Sequence, residues 1–200
     1  MKSELEILVE EGYVTNPESA RGRLLVKAAH LFKKKGYERT TVRDLANEIG
    51  IQSGSIFHHF KTKEEILKAV MEEAIRYNTA RMVRALEASD STKEKLLELI
   101  KCELTSITGL TGEAMSVLVY EWRSLTEESQ AHILSLRDIY EKLWLDVLSQ
   151  AKVEGIVSGD IFTLRRFLTG ALSWTTTWFD EAGGLSLDDL AEQALLLAVK

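Results

Sequence analysis

Thr41-Val42-Arg43-Asp44-Leu45-Ala46-Asn47-Glu48-Ile49-Gly50-Ile51, followed by Gln52-Ser53-Gly54-Ser55-Ile56-Phe57-His58-His59-Phe60-Lys61-Thr62-Lys63, is the stretch whose reading decides the fold. Thr41 is placed to cap a short helix through its hydroxyl. Val42, Leu45, Ala46 and Ile49 then recur at i, i+3, i+4 and i+7, which gives that helix one buried stripe. Gly50 supplies the left-handed residue that ends it. Ser53 is the expected cap of a second short helix, in which Ile56 and Phe60, four apart, face the first. Ser55, Phe57, His58 and His59 then project outward. Two short helices joined by a glycine turn, the second with a polar and aromatic outer face, can set one helix in a major groove.

The chemistry of that outer face suits DNA. Hydroxyl and imidazole groups meet phosphates or base edges, and an exposed phenyl can meet thymine methyls. Arg43, near the start of the first helix, is the candidate for a bidentate contact to guanine. Lys61 and Lys63, at the start of the next helix, are placed for backbone phosphates. The expected DNA-binding residues are therefore Thr41, Arg43, Gln52, Ser53, Ser55, Phe57, His58, His59, Lys61 and Lys63. Ordinary packing is the alternative for Phe57 and the histidines. A metal site at His58-His59 is not expected, since adjacent helical residues diverge by about 100° and no third ligand stands at useful spacing.

Charge follows the same division. The chain of 200 residues has a net charge of -6, yet residues 20–63 carry ten Lys/Arg against three acids, leaving -13 elsewhere. A basic segment on an acidic body is the electrostatic pattern of a nucleic-acid module. At 45% hydrophobic and 28% charged, the chain can bury a core. One cysteine, Cys102, excludes an internal disulfide framework and suits a reducing cytoplasm. The N-terminus lacks a basic start and apolar run, and no stretch approaches the roughly 20 apolar residues that cross a bilayer. The expectation is a cytoplasmic protein with no membrane association.

Outward from the motif, no segment alternates with period two, so the fold class is all-α, with about nine helices. The expected spans are 18–35, the motif pair, 62–88, 92–108, 113–125, 127–154, 160–180 and 187–199. Residues 1–17, with Gly12 and Pro17, read as a flexible arm, 18–64 as the helix-turn-helix domain and 65–200 as a helical sensing and dimerisation domain. The segment 187–199 carries Leu187, Leu190, Ala194 and Leu195 on an apolar face that needs a partner. Pairing about a two-fold axis would supply one.

Ala28-Ala29-x-Leu31-Phe32-x-x-x-Gly36-Tyr37, Thr40-Thr41-Val42-Arg43-Asp44-Leu45-Ala46 and Gly50-Ile51-x-x-Gly54-Ser55-Ile56-Phe57-x-His59-Phe60-x-x-Lys63-Glu64-Glu65 together resemble the TetR family of bacterial transcriptional regulators. The family usually has tyrosine where this chain has Phe57. The resemblance implies a homodimer on a palindromic double-stranded operator, usually a repressor, released when a small-molecule effector binds the C-terminal domain. It also implies a dimer contact on the last two helices. The stretches 113–125, 127–154 and Trp178-Phe179 are similar to a branch that senses acyl-coenzyme A thioesters of fatty-acid or sterol breakdown. Expected ligand-binding residues are Trp122, Arg123, Trp144, Arg166, Trp174 and Trp178. The alternative ligand is an apolar or cationic aromatic compound held by tryptophans and a carboxylate such as Glu121. No nucleophile elbow, His-Glu-x-x-His or phosphate loop is present, so no catalytic residue, metal or cofactor is expected. A helical scaffold and an enzyme are remote alternatives.

Overall fold

The computed structural model describes residues 2–180 and 182–200 and is all-helical over them. In chain order the helices are α1 (Glu4–Glu10), α2 (Ala20–Lys35), α3 (Val42–Ile49), α4 (Ser53–Ile56), α5 (Lys63–Glu87), α6 (Thr92–Thr108), α7 (Gly112–Tyr120), α8 (Glu127–Val153), α9 (Ile161–Trp174) and α10 (Leu187–Ala198). Single 3-10 turns cover Trp122–Ser124 and Thr175–Thr177. No helix among the described residues is long and apolar enough to cross a membrane.

The chain packs into two compact units that interleave in sequence. Unit 1 joins residues up to Tyr77 to Thr111–Arg137; unit 2 joins Asn78–Leu110 to Asp138–Lys200. Of the three points of division, two fall inside helices, within α5 and within α8, and one between α6 and α7.

Unit 1 is built on the stripe read from α3. Leu45 and Ala46 are buried with Leu24, Ala28 and Phe32 of α2, Ile56, Phe60, Leu67 and Val117, while Val42 and Ile49 pack at the edge. Ser19 caps α2 by accepting the Gly22 amide at 3.0 Å. At Gly22 the chain doubles back so tightly that a Cβ would lie 2.0 Å from the Asn16 carbonyl oxygen, so glycine is required. The stretch expected as a flexible arm contains α1, opened by a capping box between Ser3 and Glu6. Leu8 is fully buried, and the Thr15 amide and hydroxyl both donate to Glu73. Met1 of that arm lies outside the described residues.

Unit 2 buries Leu96, Leu99 and Ile100 of α6 against Trp144 and Leu148 of α8, Leu168 and Leu172 of α9, and Leu190, Ala191 and Leu195 of α10. Two expected helices end early. The span 113–125 stops at Tyr120 and continues as the Trp122–Ser124 turn. The span 160–180 stops at Trp174, where the hydroxyls of Thr175, Thr176 and Thr177 donate to the carbonyls of Leu172, Ser173 and Trp174. Three successive threonines bonding back over three residues tighten the last turn and disfavour its continuation.

Candidate nucleic-acid interface

Thr41 does cap α3, and it does so reciprocally. The Asp44 amide donates to Thr41 Oγ1 at 3.1 Å, while the Thr41 amide returns a bond to Asp44 Oδ2 at 2.8 Å. The Thr41 amide and hydroxyl, with Lys35 adding charge, hold the Asp44 carboxyl below the usual aspartate value. Gly50 ends α3 at φ 72°, and its amide reaches back to the α3 carbonyls. These two ends fix where α4 begins.

The second helix is shorter than expected and is not capped by Ser53. It spans only Ser53–Ile56, with Gln52 at the N-cap and no side-chain capping bond. After Ile56 the amides of His58 and His59 bond three residues back, at 3.3 and 2.9 Å, so Phe57–His59 form a tight turn. Ile56 and Phe60 still face the core, as their spacing predicts.

The ten expected DNA-facing residues divide into three groups. Thr41, Arg43, Gln52, Phe57, His58, His59 and Lys61 are exposed; Phe57 keeps 54% of its surface free, which excludes ordinary packing for its ring. Ser53 and Ser55 are half-buried. Lys63 turns inward instead of outward. Its ammonium donates to the carbonyls of Tyr37 at 2.9 Å and Thr40 at 3.0 Å and sits 4.0 Å from the centre of the Tyr37 ring. It thus clamps the loop between α2 and α3, whose carbonyls no helix satisfies.

The opposite side of that loop is held by Glu121, whose Oε1 accepts the Tyr37 amide at 3.1 Å. Glu121 is therefore engaged within unit 1 and is not an open carboxylate for a cationic ligand. His30 Nδ1 lies 3.0 Å from Glu113 Oε1, and the Thr126 amide donates to Glu64 Oε1 at 3.1 Å. Sequence reasoning missed these ties because their partners lie 62 to 84 residues apart. Arg21, stacked 4.3 Å from the centre of the Phe60 ring, was also missed.

The expected ligand residues are divided between the two units. Trp122 and Arg123 belong to unit 1, and Trp144, Arg166, Trp174 and Trp178 to unit 2. Trp144 is fully buried core, with its indole N–H donating to Glu103 Oε2 at 3.1 Å. Trp174 and Trp178 are exposed, and the Arg166 guanidinium lies 4.7 Å from the centre of the exposed Phe162 ring.

The expected dimer residues need correction. Leu190 and Leu195 are 8% and 6% exposed and belong to the chain's own core, with half-buried Leu187 and Ala194 packed against it. The apolar face of α10 finds its partner in α6 of the same chain, so no second copy is needed to cover it. What stands open is a different set: Phe167 at 74%, Trp174 at 68% and Leu197 at 90%. On α9 the exposed residues Phe167, Gly170, Ala171 and Trp174 recur at i, i+3, i+4 and i+7 and so share one face.

Comparison with known proteins matches both parts of the chain. The model for bacterial regulatory proteins of the tetR family covers residues 24–70, and that for the tetracyclin repressor-like C-terminal domain covers residues 89–200. The HTH-type transcriptional repressor KstR2 of Mycolicibacterium smegmatis is 29% identical over 190 residues, spanning 92% of this chain and 91% of that protein. The structure of the ketosteroid transcriptional regulator KstR2 of Mycobacterium tuberculosis superposes with a TM-score of 0.82 at 27% identity, covering 94% of this chain and 99% of that one. A crystal structure described as superantigen pfit superposes at 0.88 with 61% identity over 98% of both chains. Together with the capped helix-turn-helix of unit 1, the two family matches show that this chain belongs to the TetR family of bacterial transcriptional regulators and is not an enzyme.

Proposed function

We propose that the chain is a repressor that binds a palindromic double-stranded DNA operator as a homodimer and lets go when a small molecule binds its C-terminal part. The observation that carries the reading is the exposed surface of α3 and the α4 turn. There Arg43, Gln52, Phe57, His58, His59 and Lys61 stand clear of the core that fixes their backbone. Arg43 makes no ion pair among the described residues, so its five N–H donors are open to guanine and phosphate. The repressor sense follows the KstR2 proteins, which are named as repressors. Residues 18–64 would read DNA, and residues 65–200 would sense and dimerise.

The exposed stripe of α9, with Leu196 and Leu197 of α10, is the face assigned to the two-fold contact. Gly170 and Ala171 would let a second α9 approach closely, with Phe167 and Trp174 flanking it. Trp174 moves with this assignment from ligand to interface. For the effector, the reading favours an apolar metabolite of the acyl-thioester or sterol kind. The name of the M. tuberculosis relative supports the sterol arm.

Selection of bound sequences from a random duplex pool at moderate salt tests the whole proposal. Recovery of a palindrome of roughly 15–25 base pairs is expected, because two copies of the motif must meet successive major-groove faces. Folded protein that enriches no sequence would overturn it, and the activity in the name of the 61%-identical pfit would then be the next to assay.

A further inference from the structure

The loop from Gly36 to Thr41 leads into the first turn of α3 and so sets where Arg43 stands. Its backbone groups are bonded partly from within. The Thr40 hydroxyl donates to the Gly36 carbonyl at 2.8 Å, and the Thr40 amide to the Tyr37 carbonyl at 3.1 Å. Lys63 of α5 bonds the carbonyls of Tyr37 and Thr40. The Tyr37 amide goes to Glu121, which follows α7 and stands 84 residues further along the chain.

Glu121 is itself firmly placed. Its amide donates to the Val117 carbonyl at 2.9 Å, and its carbonyl accepts the Ser124 amide at 3.0 Å. Val117 and Leu118, on the preceding turn, are buried in the same core as Phe32 and Tyr37. Glu121 Oε2 accepts the Ser124 hydroxyl at 3.4 Å, which leaves Oε1 directed at the loop. Gly36 lies against that oxygen: a Cβ there would stand 3.5 Å from Oε1. The segment is moored on either side of Glu121, by Glu113 to His30 at 3.0 Å and by Thr126 to Glu64 at 3.1 Å.

The charge of Glu121 works against DNA. A carboxylate close to a basic reading surface repels phosphate, so by electrostatics alone its removal would tighten binding. Its geometry predicts the opposite, since an unheld Tyr37 amide lets the loop and the start of α3 drift. The sign of the effect therefore separates the two roles.

We propose that Glu121 is a positioning residue for operator reading: by holding the Tyr37 amide it fixes the loop that aims α3 and Arg43 at the groove. The inference rests on the operator-binding regulator proposed above.

The test compares Glu121→Gln and Glu121→Leu with the parent, each as the full chain. Glutamine keeps an oxygen for the Tyr37 amide and removes the charge; leucine removes both. The probes are the operator selected by the unaltered protein and a scrambled duplex of equal length. Glu121→Leu is expected to weaken operator binding about tenfold, the scale of a lost hydrogen bond to a charged group. Binding to the scrambled duplex and its salt slope are expected to match the parent's, because the phosphate contacts are untouched. Glu121→Gln is expected to stay within about twofold of the parent on the operator, since a neutral acceptor keeps the bond. A residue that merely stabilises the fold would lower the urea midpoint and leave the ratio of operator to scrambled affinity unchanged.

Hydrogen exchange at the Tyr37 amide of the unaltered protein gives a reading that does not depend on any variant folding. A bond that operator binding requires is strengthened in turn by the operator, so exchange at Tyr37 is expected to slow about fivefold or more in the complex. Four results would each overturn the proposal: operator binding by Glu121→Leu as tight as the parent's or tighter, equal losses for leucine and glutamine, an unchanged ratio of operator to scrambled affinity, or Tyr37 exchange indifferent to operator. Any of these with an operator in hand defeats this inference alone, whereas a selection that enriches no sequence defeats the regulator.

Discussion

Arg43 of unit 1 is exposed and makes no ion pair among the described residues, whereas Arg165 of unit 2 is 2% exposed and held by Glu103 and Glu141. One guanidinium is available to a partner and contributes little to the fold. The other is woven into the fold, and its loss would strand the buried Glu103 carboxylate and leave half-buried Glu141 facing Arg166 alone. The difference teaches that the same residue type stands at opposite stability cost in the two units. Arg165→Met is accordingly expected to lose about 3–5 kcal/mol in urea unfolding. Arg43→Ala should stay within about 0.5 kcal/mol of the parent. Similar losses for the two would break the comparison. Adding Glu103→Gln and Glu141→Gln to Arg165→Met should recover part of the loss, because it removes the stranded charges.

Lys63 sharpens the contrast, since it belongs to the DNA-binding unit yet behaves like Arg165. Its ammonium replaces missing helix partners for the Tyr37 and Thr40 carbonyls. Lys63→Ala is expected to cost about 2 kcal/mol of stability, the scale of hydrogen bonds from a charged group. Its effect on operator affinity should follow through the loosened α2–α3 loop. Lys61→Ala, a change at an exposed site, should leave stability alone and lower the magnitude of the salt slope by roughly one per subunit. If Lys63→Ala melts like the parent and only the salt slope changes, the clamp is not a structural one.

Legibility in the sequence tracks how local each cause is. The cap at Thr41, the stripe Leu45-Ala46 and the stop at Gly50 are set within ten residues of chain, and each is found where the spacing puts it. Ser53 failed as a cap because a one-turn α4 places Gln52 there instead. The apolar face of α10 was legible, but its partner was not: hydrophobic spacing says that a face must be covered and is silent on whether α6 or a second copy covers it. The Arg165 cluster joins residues from three helices spread over 62 positions, so no motif spacing reveals it.

Operator binding tests the exposed side of the comparison directly. Arg43→Ala is expected to cost about 1–3 kcal/mol of operator affinity and to relax base preference at one position per half-site. Repeating the duplex selection with the variant reads both effects. Loss of affinity with the preferred sequence unchanged would make Arg43 a phosphate contact, and the reading of bases would then fall to the α4 turn.

The smallest effect is shared by both units and concerns acid. Asp44 at the start of α3, Asp160 before α9 and Asp189 at the start of α10 each have a lowered pKa. The main causes are the Thr41 amide for Asp44, the Thr163 amide for Asp160 and the Ser186 hydroxyl for Asp189. A carboxyl whose pKa is depressed on folding adds stability above its unfolded value and loses it as pH falls through the folded one. The urea midpoint should therefore hold level down to about pH 4 and decline below it. Asp44→Asn removes one such group while keeping a side-chain oxygen for the Thr41 amide, so its decline should be shallower than the parent's. Because Asp44 lies at the surface and salt screens its Lys35 partner, the difference should persist in high salt only as far as the Thr41 hydrogen bonds cause it. A difference that vanishes in salt would transfer the shift from the cap to the lysine.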